Sequence, residues 1–202
     1  MFRTLQPLIL ASESPRRKRL LLSVGVKFEV HPSRIDESVG PDRCTEPAEI
    51  PAEIALRWAR LKADSISSLH HHAWIFGADT IVVLDGRIFG KPRDSAEAVR
   101  MLEILSDKVH EVITGMCLIQ PGGKLRRSGS VSTRVRFKTL SAEEIESYVK
   151  TGEPMDKAGA YGIQGMGAFL VRSVEGSYTN VVGLPLSETI DWLMNEAIIE
   201  PE

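Results

Sequence analysis

Trp74-Ile75-Phe76-Gly77-Ala78-Asp79-Thr80-Ile81-Val82-Val83-Leu84-Asp85-Gly86-Arg87-Ile88-Phe89 is the stretch on which the reading of this 202-residue chain turns. Its β-branched and aromatic residues predict a strand over 74–84, and Asp85-Gly86 is a two-residue hairpin signal that sends the chain back through 87–89. The hairpin register sets Val83 opposite Ile88 and, extended, Thr80 opposite Lys91, so that Lys91 lands beside Asp79. Asp79 stands amid Ile75, Phe76, Ile81, Val82 and Val83, where a carboxylate is costly to bury unless it is paired or binds a cation. An Asp–Lys pair there could be purely structural. In a cleft it would supply a basic or metal-binding carboxylate beside a phosphate-binding ammonium.

Outward from this hairpin, strands and helices alternate. Residues 8–11 read as a short buried strand, and Ser14-Pro15 then opens a helix, Ser being a good N-cap and Pro a good first helical residue, with Gly25 ending it. A strand over 28–31 leads into 32–51, a segment rich in Pro, Asp, Glu and Ser that reads as a flap or linker. A long amphipathic helix follows over 52–69, with Ile54, Trp58, Leu61 and Leu69 on one stripe and Glu53, Arg57, Arg60 and Asp64 opposite as two i,i+4 ion pairs. His70-His71-His72 at its end reads as a favourable charge at the helix C-terminus or a polar turn rather than a metal site. A helix over 95–105, a hairpin of 110–120 with 125–137 across Pro121-Gly122-Gly123, and a capping-box helix opened by Ser141 complete the middle of the chain. The glycines between 152 and 183 mark close backbone approaches in a functional loop, and a last helix runs over 185–196. The expectation is one α/β domain with no internal repeat.

The composition, 26% charged and 43% hydrophobic, excludes a disordered or membrane-embedded chain. A net charge of −2 with dispersed basic residues, and aromatics at 6%, give neither the electrostatic footprint nor the stacking platform of a nucleic-acid-binding module. Any anion must therefore be met by a local cluster. Cys44 and Cys117 show no ligand-type spacing and no disulfide framework, as expected of a reducing, cytoplasmic compartment. Residues 8–11 are too short for a signal peptide, and no later stretch approaches the roughly 20 apolar residues of a membrane span.

Three further groups of residues bear on chemistry. Ser12-Glu13-Ser14-Pro15-Arg16-Arg17 puts two arginines in the first turn of a helix, where the dipole prefers acids. An anion at the helix end resolves that conflict, and free N–H groups, the Ser12 and Ser14 hydroxyls and the two guanidiniums would cradle a polyphosphate. A solvated basic face is the competing reading. Lys62 sits away from the charged stripe of its helix, which fits either a side chain aimed into a cleft or a stem that snorkels to water. Residues 156–165 combine small residues with Gln164, whose amide offers a donor and an acceptor side by side and could match the imide edge of uracil or thymine. P-loop, dinucleotide-fold, zinc-hydrolase and nucleophile-elbow motifs are all absent from the sequence.

Taken in order, Ser12 to Arg17, Ile35-Asp36-Glu37, Lys62, Gly77-Ala78-Asp79-Thr80, Lys91-Pro92-Arg93-Asp94, Leu105-Ser106 with His110, Asp156 to Gly165, and Gly176-Ser177-Tyr178 with Val182-Gly183-Leu184-Pro185 resemble the Maf family of nucleoside triphosphate pyrophosphatases. The resemblance spans nearly the whole chain and departs from the family pattern at Asp107, where Leu-Ser-Gly would be expected. It implies a single Maf-like domain over 1–202, with a mixed twisted sheet, flanking helices and two lobes around a central cleft. It also implies hydrolysis of a nucleoside triphosphate to the monophosphate and pyrophosphate. The 157–165 stretch looks like the branch acting on dTTP and UTP, in which positions matching Arg16, Thr80 and Gln164 are associated with base selectivity.

On this resemblance Asp79 is the catalytic base or water positioner, and Glu37 and Asp79 hold a divalent metal cation, Mg²⁺ or Mn²⁺. Arg16, Arg17, Lys62 and Lys91 bind the phosphate chain, with Ser12 and Ser14 adding hydrogen bonds. Two rivals remain at this point: a pyrophosphatase acting on 7-methyl-GTP or another modified nucleotide, and a nucleotide-binding regulator of septum formation or cell division. The expected partner is the nucleotide substrate, not a membrane, and a homodimer stays open.

Overall fold

The computed structural model describes residues 1–33, 35 and 50–202, so most of the segment read as a flap lies outside the described residues. In chain order the elements are β1 (Phe2–Thr4), β2 (Leu8–Leu10), α1 (Pro15–Ser23), β3 (Glu29–Val30), α2 (Pro51–Ser67), β4 (Trp74–Leu84), β5 (Arg87–Phe89) and α3 (Ser95–Leu105). They continue with β6 (Val109–Ile119), β7 (Leu125–Phe137), α4 (Ala142–Lys150), β8 (Val171–Glu175), α5 (Tyr178–Val182), α6 (Leu186–Asn195) and β9 (Ile199–Pro201). Short 3₁₀ turns at Glu153–Asp156, Ala158–Ala160 and Gly165–Leu170 lie between α4 and β8. No helix among the described residues is long and apolar enough to cross a membrane.

Seven strands form one mixed sheet in the order β3-β2-β4-β6-β7-β8, with β5 paired to β4 outside that path. The β2 pairings with β3 and β4 are parallel, and the β4–β5, β4–β6, β6–β7 and β7–β8 pairings are antiparallel. A separate antiparallel pair, β1 with β9, ties the two ends of the chain together. Because side chains alternate along a strand, β4 presents Trp74, Phe76 and Ala78 to a core built with Leu21 of α1 and Leu193 of α6, and Ile75, Gly77, Ile81 and Val83 to α2. A third core gathers Phe89, Leu102, Val135, Phe137 and Ile145 under α3 and α4.

The mixed α/β class is as expected, and so is the hairpin: Val83 faces Ile88, and the turn is Asp85-Gly86. Its extension is not. Pairing stops at Val82 opposite Phe89, because the chain is drawn off at Gly90, whose carbonyl accepts from the Gly159 amide at 3.0 Å, so Thr80 does not face Lys91. The predicted stripe of α2 also needs correction. Ile54 and Trp58 are buried, but with Ala55, Ala59, Lys62, Ala63 and Ile66, while Leu61 and Leu69 are 37% and 50% exposed. The face is turned because the sheet under it is glycine. A Cβ at Gly77 or Gly115 would fall far inside contact distance of the Ala59 or Ala55 carbonyl group. The alanine side of the helix therefore lies almost on the sheet, and burying Ile66 at its edge stabilises by roughly 1.5–3 kcal/mol. The glycine-rich span is likewise more than loop: it holds β8 and α5, and Tyr161, Leu170 and Val182 are buried in it.

One consequence of the topology positions the site. The β6 edge of β4 is paired from Ile75 to Val83, whereas its other edge is paired with β2 only at 74–76 and with β5 only at 82–84. Among the described residues no strand covers 77–81 on that edge. Asp79 and Thr80 sit in this gap, just beyond the carboxyl end of parallel strand β2, the position where open α/β sheets bind ligands.

Candidate active site

A cavity of about 600 Å³ opens at the gap, and Ser12, Ser14, Arg16, Arg17, Lys62, Asp79, Thr80, Lys91 and Gln164 all line it. That is every candidate within the described residues; Glu37, the expected second carboxylate, lies outside them.

One wall is the start of α1. Ser14 is the N-cap, its hydroxyl accepting from the Arg17 amide at 3.5 Å, Pro15 opens the helix, and the first turn carries no acid. The Ser12 hydroxyl accepts from the Ser14 amide at 3.3 Å and from Arg17 Nη1 at 3.0 Å. Arg17 is buried, and its guanidinium also donates through Nε to the Gly183 carbonyl at 2.8 Å and through Nη2 to Thr80 Oγ1 at 2.9 Å. Three of its five N–H donors are thus spent on holding Ser12, β4 and the residue that ends α5 in register. Thr80 Oγ1 lies 2.9 Å from Thr114 Oγ1 on β6, so the cluster is stitched into the sheet.

The floor is an ion pair. Lys62 Nζ donates to Asp79 Oδ1 at 2.6 Å, with side chains only 8% and 5% exposed. Asp79 lies on the α2 face of β4, and Lys62 lies on the buried face of α2, so a helix and a strand close on each other at this point. Lys91 lies past the point where the hairpin pairing stops and lines the same cavity as an exposed side chain. Lys62 was legible as misplaced on its helix; that it meets Asp79 was not, since the meeting depends on how closely α2 approaches the sheet.

The opposite rim is the 156–164 segment. Arg16 Nη1 donates to Asp156 Oδ2 at 3.0 Å, and Lys157 Nζ donates to Asp156 Oδ1 at 2.6 Å. Partial burial pushes the Asp156 carboxyl up, but the hydrogen bonds from Lys157 and Arg16 outweigh it and hold it below the usual range. Asp156 and Lys157 line the cavity; the sequence pointed to them only as part of the 156–165 stretch, with no role of their own. Gln164 is exposed at the rim, and its side chain does not cap the turn that follows it. Tyr161 lines the inner wall, its hydroxyl 2.8 Å from Nε2 of the buried His110. Burial pushes the Cys117 thiol up to about 12, so that cysteine is no nucleophile, and Cys44 lies outside the described residues.

Among the described residues no group of three or more His, Cys, Asp and Glu side chains could hold a metal ion. The donor chemistry fits Mg²⁺, which is commonly bound by one or two carboxylates and completed by water and substrate phosphates.

Residues 7–196 match the family described as Maf-like protein. The chain belongs to the Maf family. Among its Maf relatives, the dTTP/UTP pyrophosphatase of Halalkalibacterium halodurans is 51% identical over 186 residues, covering 92% of this chain and 94% of that protein. The dTTP/UTP pyrophosphatase of Desulfotalea psychrophila is 44% identical, covering 98% and 99%, and that of Geobacter metallireducens is 50% identical, covering 91% and 93%. In this Maf chain the departure at Asp107 leaves the turn intact: Asp107 adopts the left-handed conformation, φ 57°, which glycine takes freely and Asp tolerates better than most residues.

Proposed function

We propose that this protein hydrolyses nucleoside triphosphates, dTTP and UTP first among them, to the monophosphate and pyrophosphate, within one Maf-like domain whose two lobes flank the cavity. The observation that carries the reading is a nearly sealed Asp79–Lys62 pair on the floor of a cavity that Arg16, Arg17 and Lys91 also line. A buried ion pair does little for stability compared with apolar residues of the same volume, so its presence at a cavity floor speaks for chemistry.

The reaction is attack of water on the α-phosphorus in line with the bridging oxygen to the β-phosphate. The new bond is from water oxygen to phosphorus, the bond to the bridging oxygen breaks, and the electron pair leaves with pyrophosphate. Asp79 accepts the proton of the attacking water, and Lys62 fixes the orientation of that carboxylate. Arg16 and Lys91 bind the phosphate chain, and the Ser12 and Ser14 hydroxyls and the amides of the first turn of α1 add hydrogen bonds. Arg17 contributes positive charge while its bonds to Ser12, Thr80 and Gly183 keep the cradle in shape. Asp79 with Glu37 would hold Mg²⁺ or Mn²⁺, which supplies charge neutralisation on the phosphates when bound. Gln164 at the rim reads the uracil or thymine imide edge, and Arg16 and Thr80, which line the same cavity, contribute to base selectivity.

The test is a pyrophosphate-release panel over dTTP, UTP, GTP and 7-methyl-GTP with Mg²⁺. Release from dTTP and UTP in preference to both guanine nucleotides supports the proposal. Preference for 7-methyl-GTP, or tight binding of all four with no product, would replace it with one of the rival readings.

A further inference from the structure

The loop that carries Gln164 is held from behind by a single carboxylate. Glu153 Oε1 accepts from the Tyr148 hydroxyl at 2.9 Å and from the Gly167 amide at 3.0 Å, and Oε2 accepts from the Met166 amide at 3.0 Å. Tyr148 Oη accepts in turn from the Gly162 amide at 3.2 Å. Backbone amides on both sides of Gln164 therefore end on one Glu–Tyr pair, anchored by α4 and the turn after it. Packing agrees with the hydrogen bonds. A Cβ at Gly167 would run into Tyr148 Oη and the Gly162 carbonyl, and one at Gly162 would run into the stem of Lys157. Burial pushes the Glu153 carboxyl up, yet the two amides and the Tyr148 hydroxyl outweigh it and hold it below the usual range, so the carboxylate is the form this loop needs.

With glycine at 162, 165 and 167, this span has little conformational preference of its own. A side chain that reads a donor–acceptor edge tolerates only small errors of position. Neither Glu153 nor Tyr148 lines the cavity. We infer that the Glu153–Tyr148 pair is a specificity-positioning device: it sets the backbone on which Gln164 stands and thereby the choice of base, without touching the substrate. This rests on the proposal that Gln164 reads the base.

The experiment measures kcat and KM with UTP and GTP for the wild type, Gln164→Ala, Tyr148→Phe, Glu153→Gln and the Glu153→Gln/Gln164→Ala double variant. Tyr148→Phe keeps the buried ring and removes only the hydroxyl, so it carries the test if Glu153→Gln does not fold. The expected result is a drop of about tenfold in the UTP:GTP ratio of kcat/KM in each single variant, taken up in the KM for UTP, with kcat for GTP within about twofold of wild type in Tyr148→Phe and Glu153→Gln. The double variant should lose no more than about twofold beyond Gln164→Ala alone, because both changes act through one side chain. If Gln164→Ala lowers the ratio and the folded Tyr148→Phe and Glu153→Gln proteins keep the wild-type ratio, the inference is overturned and base reading by Gln164 stands. If Tyr148→Phe lowers kcat equally for both substrates, the pair is scaffolding for the whole cavity and the inference is likewise overturned. An unchanged ratio in Gln164→Ala would remove the base-reading proposal itself and this inference with it.

Discussion

Lys62 and Asp79 meet at 2.6 Å where water hardly reaches either. Breaking such a pair from one side leaves a charge in a medium that solvates it poorly, which costs about 3–5 kcal/mol, whereas replacing both members with apolar groups can be neutral. Lys62→Met should therefore lower unfolding stability by about that much, and Lys62→Met/Asp79→Leu should recover most of it in urea titrations while showing no turnover. Equal stability of the two variants would mean that the pair is not energetically coupled. The sequence exposed both residues as anomalies: a carboxylate inside an apolar run, and a lysine on the wrong side of an amphipathic helix. It could not join them, because the register argument ran through the hairpin to Lys91, and nothing in one-dimensional spacing says how close α2 comes to β4. Arg17 shows the same limit. Its place beside the cradle was legible, but its Gly183 partner is a backbone carbonyl, which leaves no trace in side-chain chemistry.

At the scale of elements, the site depends on a helix lying almost on the sheet. Gly77 and Gly115 admit the Ala55–Ala59–Ala63 side of α2, and that approach carries Lys62 to Asp79. Gly115→Ala should push α2 away, destabilising by about 2–3 kcal/mol in denaturant titrations and lowering kcat as well, although residue 115 does not line the cavity. A wild-type midpoint and kcat would show that α2 can shift without consequence. Most elements were legible because their local signals agree: the Asp85-Gly86 turn, the Ser141 capping box, and the Ser14-Pro15 helix start. β1, β8 and β9 were not, since each is a short strand whose partner lies far along the chain or at the opposite end of it. The α2 stripe was misread because alanine counts little in a hydrophobic pattern, yet alanine is what a glycine-floored sheet selects.

Across the whole molecule, a buried histidine links the fold to pH. His110 has its ring edge-on to Phe137 and Tyr161, and burial pushes its pKa down from 6.5 to about 4. Between those values the unfolded chain binds the proton and the folded chain does not, so stability falls as pH is lowered through this window and levels off below about 4. At 1.36 kcal/mol per unit the contribution of His110 is about 3 kcal/mol. The difference in unfolding free energy between wild type and His110→Gln should shrink by that order from pH 7 to pH 4, and a pH-independent difference would place the titration elsewhere. The same core borders the cavity through Tyr161, Val82 and Val112, so the molecule is built around the gap in the β4 edge. The candidate residues come from α1, α2, β4, the β5–α3 connection and the 156–164 segment, and within the described chain they share one hollow. The measurement that bears most directly on this account is pyrophosphate release from dTTP and UTP with Mg²⁺ by wild type and by folded Asp79→Asn. The account predicts release by the wild type and a fall of at least about a thousandfold in the variant, with Asp79 as the proton acceptor. Turnover by folded Asp79→Asn within about tenfold of wild type would contradict it.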